Sequence, residues 1–210
     1  MREKLPEGKT ILLISCDVSS LVIDKLCKQC KEGNAAVAFF YFDFAPKEGQ
    51  SPAAVLGSVL KQVVAELEDI PERIVRAFQD REKVIGDPKL PLSETVELLQ
   101  DISISRCIFV CIDALDECPL RYRKNLLRLL NQIHQTSPGV RLFMTGRPHI
   151  LSEVEERLGG RAATISITPI EDDVITFLRA KLRNHTMPDA MEWSLEEQIM
   201  RNIPETFAET

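Results

Sequence analysis

No apolar run in the 210 residues is longer than Ala35–Phe42. That is far short of the roughly 20 residues a helix needs to cross a bilayer. The opening residues, Met1-Arg2-Glu3-Lys4-Leu5-Pro6-Glu7, hold none of the apolar core of a secretory signal. Positive charge is in the minority: 26 Lys and Arg face 32 Asp and Glu, for a net charge of −6 and a pI near 5.2. This excludes a general binder of nucleic acid or of anionic membranes, and leaves room for a local phosphate site. Internal repeats and low-complexity tracts are absent. Cys27-Lys28-Gln29-Cys30 has the spacing of a zinc knuckle, but no second pair and no His partner follows nearby. The six cysteines therefore read as reduced thiols of an intracellular, cytoplasmic protein.

The chain is long enough for one full α/β domain with a real core. Its 44% hydrophobic and 28% charged residues are ordinary for a globular protein. One stretch organises it: Cys107-Ile108-Phe109-Val110-Cys111-Ile112 runs without interruption into Asp113-Ala114-Leu115-Asp116-Glu117. So short and uniform an apolar run suits a central strand buried on both faces, as in a parallel sheet. Its carboxyl end then bears three carboxylates, in the place where open α/β sheets collect their ligands. Two carboxylates ~4 Å apart repel by roughly 4 kcal/mol at an effective dielectric of 20. Converging side chains here call for Mg²⁺ or an Arg between them, and the alternative is a solvated acidic turn.

Strand and helix signals alternate along the rest of the chain. Thr10–Lys31 fits two patterns. Ile11, Ile14, Val18, Leu21, Val22 and Leu26 form a helical stripe. Equally, Thr10–Ser15 reads as a strand, Cys16–Ser20 as a turn and Leu21–Lys31 as a helix. The second reading is preferred, because it supplies a first strand that the sheet otherwise lacks. Ala35–Phe42 is a buried strand, with Asp43 at its end. Ser51-Pro52 starts a helix with Ser as N-cap and Pro in the first turn. Helices are expected over Pro71–Val84, Ser93–Ile102 and Pro119–Gln135, and strands over Val140–Thr145 and Ala163–Ile167. Ser152 with Glu155 has the form of a capping box, as has Thr168-Pro169-Ile170-Glu171 before a helix to about Arg183. Residues 184–189 read as a linker, and a last helix is capped by Ser194 and Glu197. This order implies a three-layer α/β/α parallel sheet with right-handed crossovers.

Gly8-Lys9-Thr10 has the form of the end of a phosphate-binding loop, in which Lys reaches the β/γ-phosphates and Thr reaches Mg²⁺. The complete pattern has a Gly five residues before Gly8, where this chain has Glu3. Taken in order, Gly8-Lys9-Thr10, the acidic string after the strand Cys107–Ile112, and Leu142-Phe143-Met144-Thr145-Gly146-Arg147-Pro148 resemble the NACHT group of STAND P-loop NTPases. They are closest to its fungal NOD-like receptor branch, also described as nephrocystin-3-like N-terminal domains. The resemblance covers residues 8–205.

It implies a P-loop NTPase fold over residues 1–185, N-terminally incomplete, with residues 186–210 opening a following helical region. It also implies Mg²⁺ with ATP or GTP as cofactor, and slow hydrolysis coupled to homo-oligomerisation. Such proteins serve in signalling, in fungi often in non-self recognition. By the same resemblance, Asp113 holds Mg²⁺ through water, and Asp116 and Glu117 orient or activate the attacking water. Arg147 senses the γ-phosphate, Gly8 and Lys9 cradle phosphates, and Thr10 joins the metal. A rival reading is a degenerate module that keeps the fold, binds no nucleotide and acts through protein contacts.

Overall fold

The computed structural model describes residues 10–14, 19–30, 34–43, 49–82, 89–159, 162–166, 171–183 and 198. Five strands, β1 (Thr10–Ile14), β2 (Ala35–Tyr41), β3 (Cys107–Asp113), β4 (Val140–Thr145) and β5 (Ala162–Ser166), form one sheet in the order β2-β3-β4-β1-β5. Every pairing is parallel. The helices between them are α1 (Ser19–Cys30), α2 (Pro52–Ala65), α3 (Glu72–Glu82), α4 (Leu92–Ser105), α5 (Leu120–Thr136) and α6 (Leu151–Leu158).

The two-residue alternation of the strands sorts the core into two layers. Ala36, Ala38, Ile108, Val110, Ile112, Leu142 and Met144 pack with α2 through α6 on one face. Val37, Cys111 and Phe143 meet Ile23, Val22 and Leu26 of α1 on the other. The order of crossovers explains this. The chain leaves β1 for the far edge of the sheet, so a right-handed connection lays α1 on one face; every later step runs the opposite way and lays its helices on the other. Connections therefore diverge from the carboxyl ends of β1 and β4, which makes the crevice there the expected ligand position.

Local signals hold at α2, where the Ser51 hydroxyl accepts from the Ala54 N–H at 3.3 Å with Pro52 in the first turn. The expected capping box at α6 does not form. A 3₁₀ turn, Pro148–Ile150, runs straight into the helix, Ile150 stands at its N-cap, and no side chain caps it. Ser152 lies inside the first helical turn. β1 is a strand as preferred from the sequence, because Leu13 finds Thr145 on one side and Ile165 on the other. The chain divides into two compact units between Ser166 and Ile167. The second unit contributes α7 (Glu171–Arg183). The expected Thr168 cap, the linker and the Ser194 cap lie outside the described residues.

Gly139, between α5 and β4, carries a testable constraint. A Cβ there would lie 2.4 Å from the Ser103 carbonyl oxygen and 2.9 Å from that of Arg106. Backbone cannot swing aside as a side-chain tip can. Gly139→Ala is expected to cost about 1–3 kcal/mol in urea unfolding, the usual penalty of overpacking.

Candidate functional site

The acidic string lies at the carboxyl edge of the sheet. Tyr41 of β2 is paired with Asp113 of β3, and by the register of Ile112 with Met144, Asp113 is level with Thr145 of β4. Thr145 is fully buried, so its hydroxyl must find partners within the protein. It donates to Asp113 Oδ1 and accepts the Ala114 N–H at 3.0 Å. The Phe42 N–H donates to the Asp113 carbonyl at 3.1 Å.

The chain then turns sharply. Ala114 is in the left-handed region, with φ 51° and ψ 49°. A residue with a Cβ holds that conformation at a cost of about 1–2 kcal/mol. Leu115, fully buried, anchors the 3₁₀ turn Leu115–Glu117 that follows. Non-glycine residues held this way cluster at functional sites. Ala114→Gly is accordingly expected to stabilise the fold by roughly 0.5–1 kcal/mol, whereas the same change inside a helix destabilises it. Thermal unfolding checks the sign.

Arg147 crosses from the end of β4 to meet this turn. Its backbone is extended, φ −76° and ψ 157°, as Pro148 after it favours. Its N–H donates to Asp116 Oδ1 at 3.3 Å and its Nε lies 3.4 Å from Asp116 Oδ2. Its Nη2 donates to Glu117 Oε1 at 2.9 Å. The Asp116 side chain is only 2% exposed, while Arg147 is 61% exposed. Gly146 permits the close approach, since a Cβ there would sit 2.6 Å from Ile150 Cδ1 and 3.4 Å from Asp116 Oδ1. The positive partner that the carboxylate cluster called for is thus an arginine.

Asp113, Asp116, Glu117 and Arg147 are brought together at one edge. Thr10 is not. It opens β1 opposite Ala162, and the register of Ile11 with Phe143 sets it level with Leu142. That is three residues, or about 10 Å at 3.3 Å per residue, below Thr145 and Asp113. The backbones of Thr10 and Asp113 therefore stand at different levels of the sheet. Gly8 and Lys9 lie outside the described residues. Asp113 on its own suits a hard cation. Among the described residues, no group of three or more His, Cys, Asp or Glu side chains could hold a metal. Mg²⁺ here would depend on Asp113, water and phosphates supplied by a nucleotide.

Two contributors escaped the sequence reading. Thr145 lay within a quoted motif without a role. Arg123 on α5 is 9% exposed, and its Nη1 donates to the carbonyls of Asp116 (3.0 Å) and Cys118 (3.4 Å). Its Nε donates to Glu153 Oε2 at 2.9 Å. Burial pushes the Cys118 thiol up to about 11, against the opposing pull of Arg123. Tyr41, next to Asp113, is also raised, by burial first and then by the Asp113 charge.

The family described as nephrocystin 3, N-terminal, matches residues 7–147, about two thirds of the chain. The chain belongs to this family. No curated protein matches it. Among solved structures, a Walker-type ATPase of Pyrococcus abyssi is 16% identical, with a TM-score of 0.51 over 95% of this chain and 60% of that one. Cdc6p from Pyrobaculum aerophilum is 11% identical, with a TM-score of 0.53 over 91% and 47%. Drosophila ORC bound to DNA is 12% identical, with a TM-score of 0.51 over 92% and 47%. The chain spans three fifths or less of these solved chains. At such identities the likeness is one of fold: a parallel sheet flanked by helices, as in P-loop ATPases.

Proposed function

We propose that this nephrocystin 3 N-terminal family domain is a nucleotide-binding switch module of the NACHT/STAND class. The observation that carries the reading is the carboxyl edge. Asp113 is oriented by the Thr145 hydroxyl, and Asp116 and Glu117 are paired with Arg147 beside the crevice where crossovers diverge. Asp113 would hold Mg²⁺ with ATP or GTP, and the bound metal would neutralise phosphate charge. Arg147, a cation on an exposed stem, would exchange its carboxylate partners for the terminal phosphate. Freed of Arg147, Asp116 and Glu117 would accept hydrogen bonds from water and orient it. Nucleotide-dependent rearrangement of this edge, with slow hydrolysis, would govern self-association in the cytoplasm; neither nucleic acid nor membrane is part of the reading.

The register of β1 favours a second reading for this particular chain. Thr10 opens β1, three residues along the sheet from the level of Asp113. A module so built keeps the fold and acts through protein contacts. Isothermal titration with Mg²⁺-ATP and Mg²⁺-GTP separates the two. The switch reading expects weak, saturable heat in the millimolar range that disappears in Asp113→Asn. Heat that survives that substitution, or no heat at all, would favour the interaction module.

A further inference from the structure

We infer that Arg123 is a positioning residue that sets the acidic turn against Arg147. The backbone of the turn has few hydrogen bonds of its own among the described residues. Its internal hydrogen bonds are Glu117 N–H to the Ala114 carbonyl at 2.9 Å and Cys118 N–H to the Leu115 carbonyl at 3.2 Å, and it starts from the strained Ala114. Arg123 grips its outer side through the Asp116 and Cys118 carbonyls. The same guanidinium reaches Glu153 in the first turn of α6, a helix continuous with the Pro148–Ile150 turn that follows Arg147. One buried cation therefore ties together the segment carrying Asp116 and Glu117 and the segment carrying Arg147.

The chemistry of the pair points to direction more than to stability. The Arg123 and Glu153 side chains are 10% and 16% exposed, and Glu153 Oε1 is buried without a partner among the described residues. A buried ion pair that leaves an oxygen unsatisfied is poor value against two apolar residues. What it supplies is a planar fork with three donor contacts at fixed angles, which a lysine cannot reproduce. This deepens the switch reading and rests on it for its purpose, since rigid coupling of the two turns would carry the state of Arg147 into α6.

Amide hydrogen exchange by NMR on the full chain tests it without any nucleotide. The Arg147 amide, which donates to the Asp116 carboxylate, reports the alignment of the two turns; the Val110 and Met144 amides, in central strands, report the fold. In Arg123→Met and in Glu153→Gln, Arg147 is expected to exchange roughly tenfold faster, about 1.4 kcal/mol, with Val110 and Met144 little changed. Arg123→Lys should recover less than half of that protection. Equal acceleration at all three amides would reduce Arg123 to a structural residue. Unchanged Arg147 exchange in both variants would also overturn the inference. If Arg123→Met does not fold, Glu153→Gln, which keeps the side-chain shape, decides by the same comparison. A failed nucleotide titration alongside the expected exchange pattern would remove the switch reading and leave the positioning role standing.

Discussion

Replacing residues 15–18 with an eight-residue loop of the form Gly-x-x-x-x-Gly-Lys-Thr is expected to tighten Mg²⁺-ATP binding about a thousandfold or more. A phosphate loop works at the carboxyl end of a strand, where successive N–H groups and a helix N-terminus face the phosphates. In this sheet that position follows β1, whose Leu13 pairs with Thr145. The four residues joining β1 to α1 are Ser15, Cys16, Asp17 and Val18: no glycine, no lysine and one carboxylate. Each charge-assisted hydrogen bond to phosphate contributes about 1.5–3 kcal/mol. Three regained bonds give at least ~4.5 kcal/mol, and every 1.4 kcal/mol is tenfold. Doubling the loop length costs only about 0.6 kcal/mol in closure entropy. Changing Gly8, Lys9 and Thr10 to Ala in the grafted chain should leave affinity unchanged. Two titration results would sink the argument: no gain from the graft, or low-micromolar binding by the unaltered chain.

The graft also marks where the sequence was legible. The apolar run Cys107–Ile112 announces a buried strand because both faces of a central parallel strand are covered. Ala35–Tyr41 proves to be the edge strand β2, buried at Ala36, Val37 and Ala38 but exposed at Phe39 and Tyr41. The acidic string after β3 is visible for the same reason, since polarity changes abruptly where the strand leaves the core. Gly-Lys-Thr is a local pattern, and it carries no information about which end of a strand it adjoins. That is decided by pairing between residues more than a hundred positions apart, such as Leu13 with Thr145. The ambiguity of Thr10–Lys31 has the same root: Ile11 and Ile14 suit a helical stripe and a strand alike until β4 and β5 supply neighbours. Arg123 stayed hidden because its partners are two carbonyls and a glutamate on another helix, and no spacing encodes those. Ser152 and Glu155 misled because the preceding turn feeds backbone straight into α6, leaving no cap position for Ser152 to fill.

Raising the pH from 9 to 11 is expected to remove about 4 kcal/mol of stability through two thiols. Cys111 is fully buried and Cys118 is 2% exposed. Burial is the largest cause of both shifts. It pushes Cys111 up to about 12 and Cys118 up to about 11, from an ordinary value near 9. The thiols therefore stay protonated in the folded protein after the unfolded chain has begun to lose these protons. Below about pH 9 both states hold them, and pH does not act through these groups. Above it the unfolded state is favoured by roughly 1.4 kcal/mol per pH unit per thiol, until each folded value is passed. Since domains of this kind are stable by about 5–15 kcal/mol in all, the fold should be markedly weaker at pH 11 than at pH 9. Lysines and tyrosines titrate in the same range, so the parent chain alone does not isolate the cause. Cys111→Val removes one thiol and keeps an apolar side chain of similar size, and its stability measured by urea unfolding should fall by about 2 kcal/mol less than the parent's between pH 9 and 11. Identical slopes in the parent and the variant would show that the Cys111 thiol is ionised in the folded state, and the burial argument would fail with it.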